Sequence, residues 1–408
     1  MEGRKLALAR QAVGHAIRLL NAHDELGVVV YDHDIETVLE RMPATPAAKQ
    51  QALARLGTIE ARGTTDLSGG WWAGARSLGA VGAPADLPPA DELPLTFDAH
   101  ASAAPAGDPE RSGSMPAPEA PAEGARVSRV LLLTDGLANR GVTDADALRQ
   151  TAARYRTEGV STSTFGLGAD FDEELLTSIA THGGGHFYFI EQAGQIADFL
   201  ASELGEVLDV VARDAVFEVS AGPGVDVTVL NGLPVERADG LTRVRLGDLV
   251  AEQEVTLLVA VTCDARTEDH VAWVECRVRD RDQALFPDPM RVAWARVSAA
   301  RDRQQPVNRD VLLAVAQVLA EGARARALAA NRRGAFDQAG RALHDAADEL
   351  SRLGPDDNAV QAIAELLRRE EGVFAEHMGG IERKARHFAS YSLTHSRGPG
   401  GRARKSRA

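Results

Sequence analysis

The chain has 408 residues, a net charge of −14 and 44% hydrophobic residues, which describes a globular protein of several domains. The excess of acids argues against a nucleic-acid or anionic-membrane binder, because phosphate groups attract basic surfaces. No run approaches the ~20 apolar residues that span a bilayer. Two cysteines exclude a disulfide scaffold and favour a reducing, cytoplasmic compartment.

The first half of the chain alternates helix and strand patterns. Apolar residues at helical spacing predict an opening amphipathic helix, and the short apolar run Leu26–Tyr31 predicts a buried strand. The most strand-like run, Val127–Thr134, ends abruptly in Asp135 and Gly136. Alternating strands and helices indicate parallel βαβ units. Residues 1–212 are therefore predicted to form an α/β domain with a doubly wound, Rossmann-like parallel sheet.

Four other segments differ from this pattern. Residues 213–303 alternate apolar and polar positions in six strand-like runs, which predicts an antiparallel β-sandwich. Residues 304–393 form amphipathic helices, and the Gly/Arg-rich residues 394–408 predict a disordered basic tail. Residues 81–126 contain nine of the 18 prolines and predict a disordered insertion. This insertion connects a helix to a strand, so it should leave the sheet opposite the ligand-binding edge.

Two short polar segments have the pattern of a ligand site at the C-terminal edge of an α/β sheet. The Gly63–Leu67 segment stands at a loop-to-helix transition, and the Leu131–Gly136 segment is a strand that ends in an acid. Hydroxyl and carboxylate oxygens are ligands that Mg²⁺ prefers, so Thr65 and Asp135 are candidate metal ligands. Taken alone, each segment is more simply interpreted as a helix N-cap or a turn.

Together, these segments resemble the von Willebrand factor type A domain. The metal-ion-dependent adhesion site of that family combines an Asp-x-Ser-Gly-Ser motif, a threonine in a Gly-x-Thr-x-Leu loop and the aspartate of a Thr-Asp-Gly turn. Thr65 matches the second part and Asp135 the third. The later runs TDGLANRG, GLGADFDEELLTSIA and GGGHFYFI follow the family's order. The resemblance covers residues 1–212, and bacterial proteins of this type often carry a β-sandwich and a helical segment after the domain.

The first motif of the family is missing from this sequence. The chain begins MEGRKL, which resembles the family's sequence directly after the Asp-x-Ser-Gly-Ser motif. We expect that motif, and the central strand that carries it, to be encoded upstream of Met1. Because only Thr65 and Asp135 of the ligand set remain, Mg²⁺ is expected to bind this chain weakly or not at all.

The resemblance implies a non-enzymatic, metal-dependent protein–protein interaction module or scaffold. In this family an Asp or Glu of the partner completes the coordination of Mg²⁺, and an AAA+ ATPase is one such partner. The loops around the metal would place Thr64, Asp66, Gly136 and Asn139 against the partner.

Two other functions are compatible with the sequence. A secreted or surface adhesion protein is the first alternative, and it becomes preferred if the upstream DNA encodes a signal sequence. An enzyme with a Rossmann-like nucleotide site is the weaker alternative. The sequence has no Gly-x-x-x-x-Gly-Lys loop, and Phe171 stands where a dinucleotide loop starting at Gly166 would need its third glycine.

Overall fold

The computed structural model describes residues 3–61, 63, 65–81, 126–263, 271–285, 287–302, 304–398 and 400–405. The predicted disordered insertion therefore lies outside the described residues except at its two ends. The helices are α1 (Gly3–Leu19), α2 (Pro46–Gly57), α3 (Leu67–Ser77), α4 (Ala145–Thr157), α5 (Glu173–His182), α6 (Ile196–Val207), α7 (Ala299–Asp302), α8 (Arg309–Arg332), α9 (Phe336–Leu353), α10 (Asn358–Phe374) and α11 (Gly380–Thr394). Among the described residues, no helix is both long and apolar enough to cross a membrane.

The strands form four sheets within the described part of the chain. They are β1 (Glu25–Tyr31), β2 (Ile35–Pro43), β3 (Ser128–Thr134), β4 (Val160–Leu167), β5 (Gly184–Ile190), β6 (Val210–Ala221), β7 (Val225–Val229), β8 (Val235–Ala238), β9 (Leu241–Val250), β10 (Val259–Cys263), β11 (Ala272–Arg279) and β12 (Met290–Trp294).

The α/β domain is built on three parallel strands in the order β3–β4–β5. Every residue of β4 is buried, because strands flank both of its edges and helices cover the sheet. The β1–β2 pair forms a separate antiparallel sheet. Between the two sheets, the Tyr31 hydroxyl donates a hydrogen bond to the Leu133 carbonyl at 2.9 Å. The parallel strands and their helices confirm the predicted α/β class.

Aromatic side chains dominate the core of this domain. Trp71 on α3 is 1% exposed, and its indole N–H donates to the Thr162 hydroxyl at 3.1 Å. Phe165 stacks on Tyr188 with ring centroids 4.8 Å apart. Adjacent positions cannot share one face of a helix, so Trp71 lies in the core and Trp72 is only half-buried.

The second unit consists of antiparallel sheets, as predicted. The five-stranded sheet has the order β12–β11–β6–β9–β8, and β10–β7 forms a two-stranded sheet. Val219, Val227 and Val274 are buried between them. The sequence analysis missed β8, which is a four-residue edge strand. Strand β6 begins at Val210, so it bridges the predicted boundary at residue 213.

The C-terminal helices divide between two cores. Helices α8, α9 and α10 pack together through alanine and leucine side chains. Helix α11 instead contributes Phe388 and Tyr391 to the α/β core. The Tyr391 hydroxyl accepts a hydrogen bond from the Phe187 backbone N–H at 3.2 Å. The helical segment is therefore joined to the α/β domain through α11.

The prediction of a disordered basic tail over residues 394–408 is wrong for the part that the structure describes. Arg397 is 2% exposed, and its guanidinium donates to Glu206 at 2.6 Å and to the Tyr188 hydroxyl at 3.0 Å. Lys405 pairs with Asp209 at 2.8 Å. The tail has no large apolar side chain to signal burial. Ion pairs with acids on and just after α6 hold its described part in place.

Candidate metal-binding edge

The C-terminal edge of the parallel sheet is formed by the ends of β3 and β4. Strand β3 ends at Thr134, and Asp135 and Gly136 follow it. The Thr134 hydroxyl is buried and accepts a hydrogen bond from the Gly136 N–H at 3.3 Å, which closes a tight turn around Asp135. Strand β4 ends at Leu167, one position before Gly168. Because the strands run parallel, Asp135 and Gly168 lie at the same edge.

A second segment reaches this edge from the start of α3. The Thr65 N–H donates to the Asn139 side-chain oxygen at 2.9 Å, across 74 positions of sequence. The Thr65 hydroxyl lies 3.4 Å from the point where a Cβ on Gly136 would be. Thr65 is thus brought next to the turn that carries Asp135. Thr64, the other predicted threonine, lies outside the described residues.

Asp66 caps helix α3. Its carboxylate accepts hydrogen bonds from the Gly69 N–H at 2.8 Å and the Ser68 hydroxyl at 2.9 Å. A Cβ on Gly141 would lie 2.2 Å from the same carboxylate, and Gly141 has a φ of +73°. Only glycine therefore lets the loop after β3 approach α3 this closely. The structure gives Asp66 a capping role that orders two of the loops at this edge.

Asp135 and Lys5 are partly exposed charged side chains at this edge. The Asp135 side chain is 18% exposed, and the Lys5 ammonium on α1 is 4.0 Å from its carboxylate. Burial raises the pKa of Tyr31, and the negative charge of Asp135 adds to this effect. Tyr31 therefore remains a neutral donor to the Leu133 carbonyl beside the site.

A cluster of charged residues, missed by the sequence analysis, lies beside this edge. Asp32, His33 and Asp34 form the turn from β1 to β2, and their ligand atoms lie within 4.8 Å of one another. The Asp66 N–H donates to the Asp32 carbonyl at 2.7 Å, which ties this turn to α3. The sequence carried a signal for this cluster, because the YDHD run at residues 31–34 ends an apolar strand, as the TDG run at residues 134–136 does.

The chemistry of the donor set fits a weakly held divalent cation. Mg²⁺ in proteins is commonly bound through one or two carboxylates while it keeps several waters. Among the described residues of this edge, the Asp135 carboxylate and the Thr65 hydroxyl are two hard oxygen donors next to one turn. A metal ion bound to them would supply a concentrated positive charge at the surface.

A second group of possible metal ligands lies toward the start of the strands, and neighbouring side chains already occupy its hydrogen-bonding oxygens. Glu203 is fully buried and accepts hydrogen bonds from Arg129 at 2.6 Å, Ser163 at 2.5 Å and Tyr188 at 2.5 Å, with His186 at 3.2 Å. Burial alone would raise the pKa of Glu203, but the charges of His186 and Arg129 hold it well below its usual range. This carboxylate therefore belongs to a structural network.

Two models of the von Willebrand factor type A domain match the chain, over residues 1–73 and residues 118–202. The chain is 29% identical over 147 residues to the uncharacterized protein YfbK of Escherichia coli, a match that covers 34% of this chain and 25% of that protein. It is 22% identical over 307 residues to the uncharacterized protein sll0103 of Synechocystis, covering 71% and 62%. The chain thus spans only part of the length of both relatives.

A solved structure shares the whole architecture. The von Willebrand factor type A protein from Catenulispora acidiphila has a TM-score of 0.61 at 16% identity, over 99% of this chain and 86% of that chain. This likeness concerns the fold alone. Together with the two domain matches, it shows that the chain contains a von Willebrand factor type A domain and is similar to bacterial proteins that contain one.

Proposed function

We propose that the chain is a protein-binding module whose recognition surface is the C-terminal edge of β3 and β4. In this proposal, Asp135 and Thr65 hold Mg²⁺, and a partner protein supplies an Asp or Glu carboxylate to the metal. The observation that supports the proposal is the convergence of Thr65, Asn139 and Gly136 beside Asp135, from segments distant in sequence.

Electrostatics explains why a cation would be needed for this role. The chain carries a net charge of −14, so its surface field repels an incoming carboxylate. A divalent cation reverses the sign of the charge locally. In a partly dehydrated contact, an effective dielectric constant of ~20 makes the attraction between the cation and a carboxylate worth several kcal/mol.

The proposal is a binding role without catalysis. The sequence contains neither a Gly-x-x-x-x-Gly-Lys phosphate loop nor a Gly-x-Ser-x-Gly nucleophile elbow. Either motif would have favoured an enzyme.

The test is capture of partner proteins on the immobilised chain, in EDTA and in a high concentration of Mg²⁺, since Thr65 and Asp135 alone are expected to hold the ion weakly. We expect a set of partners that is held in Mg²⁺ and released by EDTA, and that is lost with Asp135→Asn and with Thr65→Val. Glu365→Gln is the matched control, because Glu365 is a 67% exposed acid on α10, in the helical segment. Capture that resists EDTA and Asp135→Asn would contradict the proposal.

A further inference from the structure

Lys5 occupies the space between the ends of β3 and β4. Its ammonium nitrogen lies 4.0 Å from the Asp135 carboxylate on one side. On the other side, it lies 3.5 Å from the point where a Cβ on Gly168 would be. The same nitrogen therefore lies beside both loops that follow β3 and β4. The Lys5 side chain is 44% exposed, so it reaches the carboxylate from the solvent side of the edge.

The first turn of α1 adds to the positive field at this point. Helix N-termini carry a partial positive charge and usually attract acidic residues. The first turn of α1 contains no acid, and it contains Arg4 and Lys5. The positive side chains of Arg4 and Lys5 thus lie at the positive end of the helix dipole. This arrangement weakens the helix slightly and places positive charge beside a carboxylate.

We propose that Lys5 is a built-in cation that competes with a divalent metal ion for Asp135. The inference rests on the proposed function only in its use of Asp135 as a cation ligand. A metal ion on Asp135 would lie within several ångströms of the Lys5 ammonium, and the two positive charges would repel each other. The 4.0 Å separation is an ion pair without a short hydrogen bond, and the half-exposed side chain can turn into water.

This competition sets the metal concentration at which the recognition edge becomes strongly positive. At low metal concentration, the Lys5 ammonium balances the Asp135 charge. At high metal concentration, the side chain turns away and the divalent ion replaces it. Lys5 is therefore a residue that determines the cation selectivity of the edge, since a monovalent ion gains much less than a divalent ion from displacing it.

The experiment is a titration with Mn²⁺, followed by the electron paramagnetic resonance signal of the free ion. We compare the unmodified chain with Lys5→Met and with Arg4→Met. Arg4 is the matched control, because it is an exposed neighbour on the same turn and its removal changes the net charge equally. We expect Lys5→Met to bind Mn²⁺ about tenfold more tightly than the unmodified chain, and Arg4→Met to change binding less than about threefold.

The outcomes separate this inference from the proposed function. Equal affinities for Lys5→Met and Arg4→Met, weaker binding by Lys5→Met, or no Mn²⁺ binding by any variant would each overturn the competition. Mn²⁺ binding that survives Asp135→Asn in the Lys5→Met chain would place the ion elsewhere and overturn it too. Partner capture that resists EDTA would contradict the proposed function while leaving the Mn²⁺ titration unaffected. Thermal melting followed by circular dichroism checks that every variant is folded.

Discussion

A charged residue lies near each end of strand β3, and the two differ in burial and in ion pairing. Arg129, near the start, has a side chain that is 3% exposed and donates to Glu203 at 2.6 Å and to Asp248 at 2.5 Å. Asp135, just past the other end, is 18% exposed and has the nearest lysine at 4.0 Å. A buried charge must be fully paired, because the free-energy cost of removing it from water exceeds the stabilisation that a loose ion pair provides. The Asp135 side chain is partly exposed, so solvent and ions reach it.

The pairing of buried charges at the start of the strands also joins the parts of the molecule. Arg129 links β3 to Glu203 on α6 and to Asp248 on β9. Arg156 on α4 pairs with Asp214 on β6. The two edges of one sheet therefore differ: buried ion pairs at the N-terminal edge hold the parts of the molecule together, and the C-terminal edge carries the partly exposed Asp135.

The largest expected effect comes from breaking the N-terminal edge. Glu203→Ala leaves Arg129 buried with one acidic partner, Asp248, and leaves Ser163 and Tyr188 without their acceptor. Removing one member of a buried ion pair costs about 3–5 kcal/mol. We expect urea unfolding to show a loss of that size in the free energy of unfolding.

The matched control for this variant is Glu365→Ala. Glu365 is 67% exposed and lies 4.0 Å from Arg369 in a helix-surface pair, so its loss should cost under about 0.5 kcal/mol. Similar losses for the two variants would refute the distinction between the edges.

Acid should weaken the contact between α11 and the α/β domain. Burial lowers the pKa of both His387 and His395 to about 4. The unfolded chain, with histidine pKa values near 6.5, then binds more protons than the folded chain between pH 6.5 and 4. The free energy of unfolding should therefore fall as the pH falls through this window, by an upper limit of about 3 kcal/mol for each histidine. Glu173, whose pKa is about 2, adds a loss only below about pH 4.5.

The pH prediction is checked by urea unfolding at a series of pH values. His387→Gln should flatten the dependence between pH 6.5 and 4, because glutamine does not titrate. His15→Gln is the control for the substitution itself, since His15 is an exposed histidine on α1. A slope that His387→Gln does not alter would show that burial of this side chain does not govern the acid response.

The smallest expected effect on stability comes from the recognition edge. Asn139→Ala removes the acceptor of the exposed Thr65 N–H, so we expect a stability loss of about 1 kcal/mol or less. Partner binding should weaken several-fold, because the Thr65 loop loses its tie to the turn of Asp135. Surface plasmon resonance with a captured partner measures the binding, and thermal melting measures the stability.

Deletion of residues 84–123 is the comparison for Asn139→Ala. The described residues that flank the insertion lie toward the other edge: Val81 N–H donates to Glu158 at 2.7 Å, and Arg126 donates to Glu25 at 2.9 Å. We expect the deletion to change neither partner binding nor melting. If the deletion alone abolishes partner binding, the recognition surface is not at the C-terminal edge.

Much of the fold was predictable because it depends on local patterns. The apolar run of β3 and the helical spacing of α1 follow from short-range sequence alone. Strand β8 was missed because four residues at a sheet edge have little hydrophobic signal. The order of residues 394–405 was missed for a different reason. Arg397 is buried by pairing with Glu206, and charge pairing across 191 positions leaves no local pattern.

The sequence supplied candidate ligands for the site but not their surroundings. Thr65 and Asp135 match a known motif, whereas the Asp32–Asp34 turn had no motif to match and Lys5 matched only as part of the opening MEGRKL, with no predicted role. Asp66, predicted to face a partner, also caps α3.

The sequence by itself determined the α/β class and the antiparallel second unit, and it supplied Thr65 and Asp135 as candidate ligands, since hydrophobic period and motif chemistry are written in neighbouring residues. Only the tertiary structure decided that Lys5 faces Asp135, that Asn139 holds the Thr65 loop and that the C-terminal residues pack against α6. The physical reason is the nature of these contacts. Single charges and hydrogen bonds act over a few ångströms between segments far apart in sequence, so their partners exist only once the chain is folded.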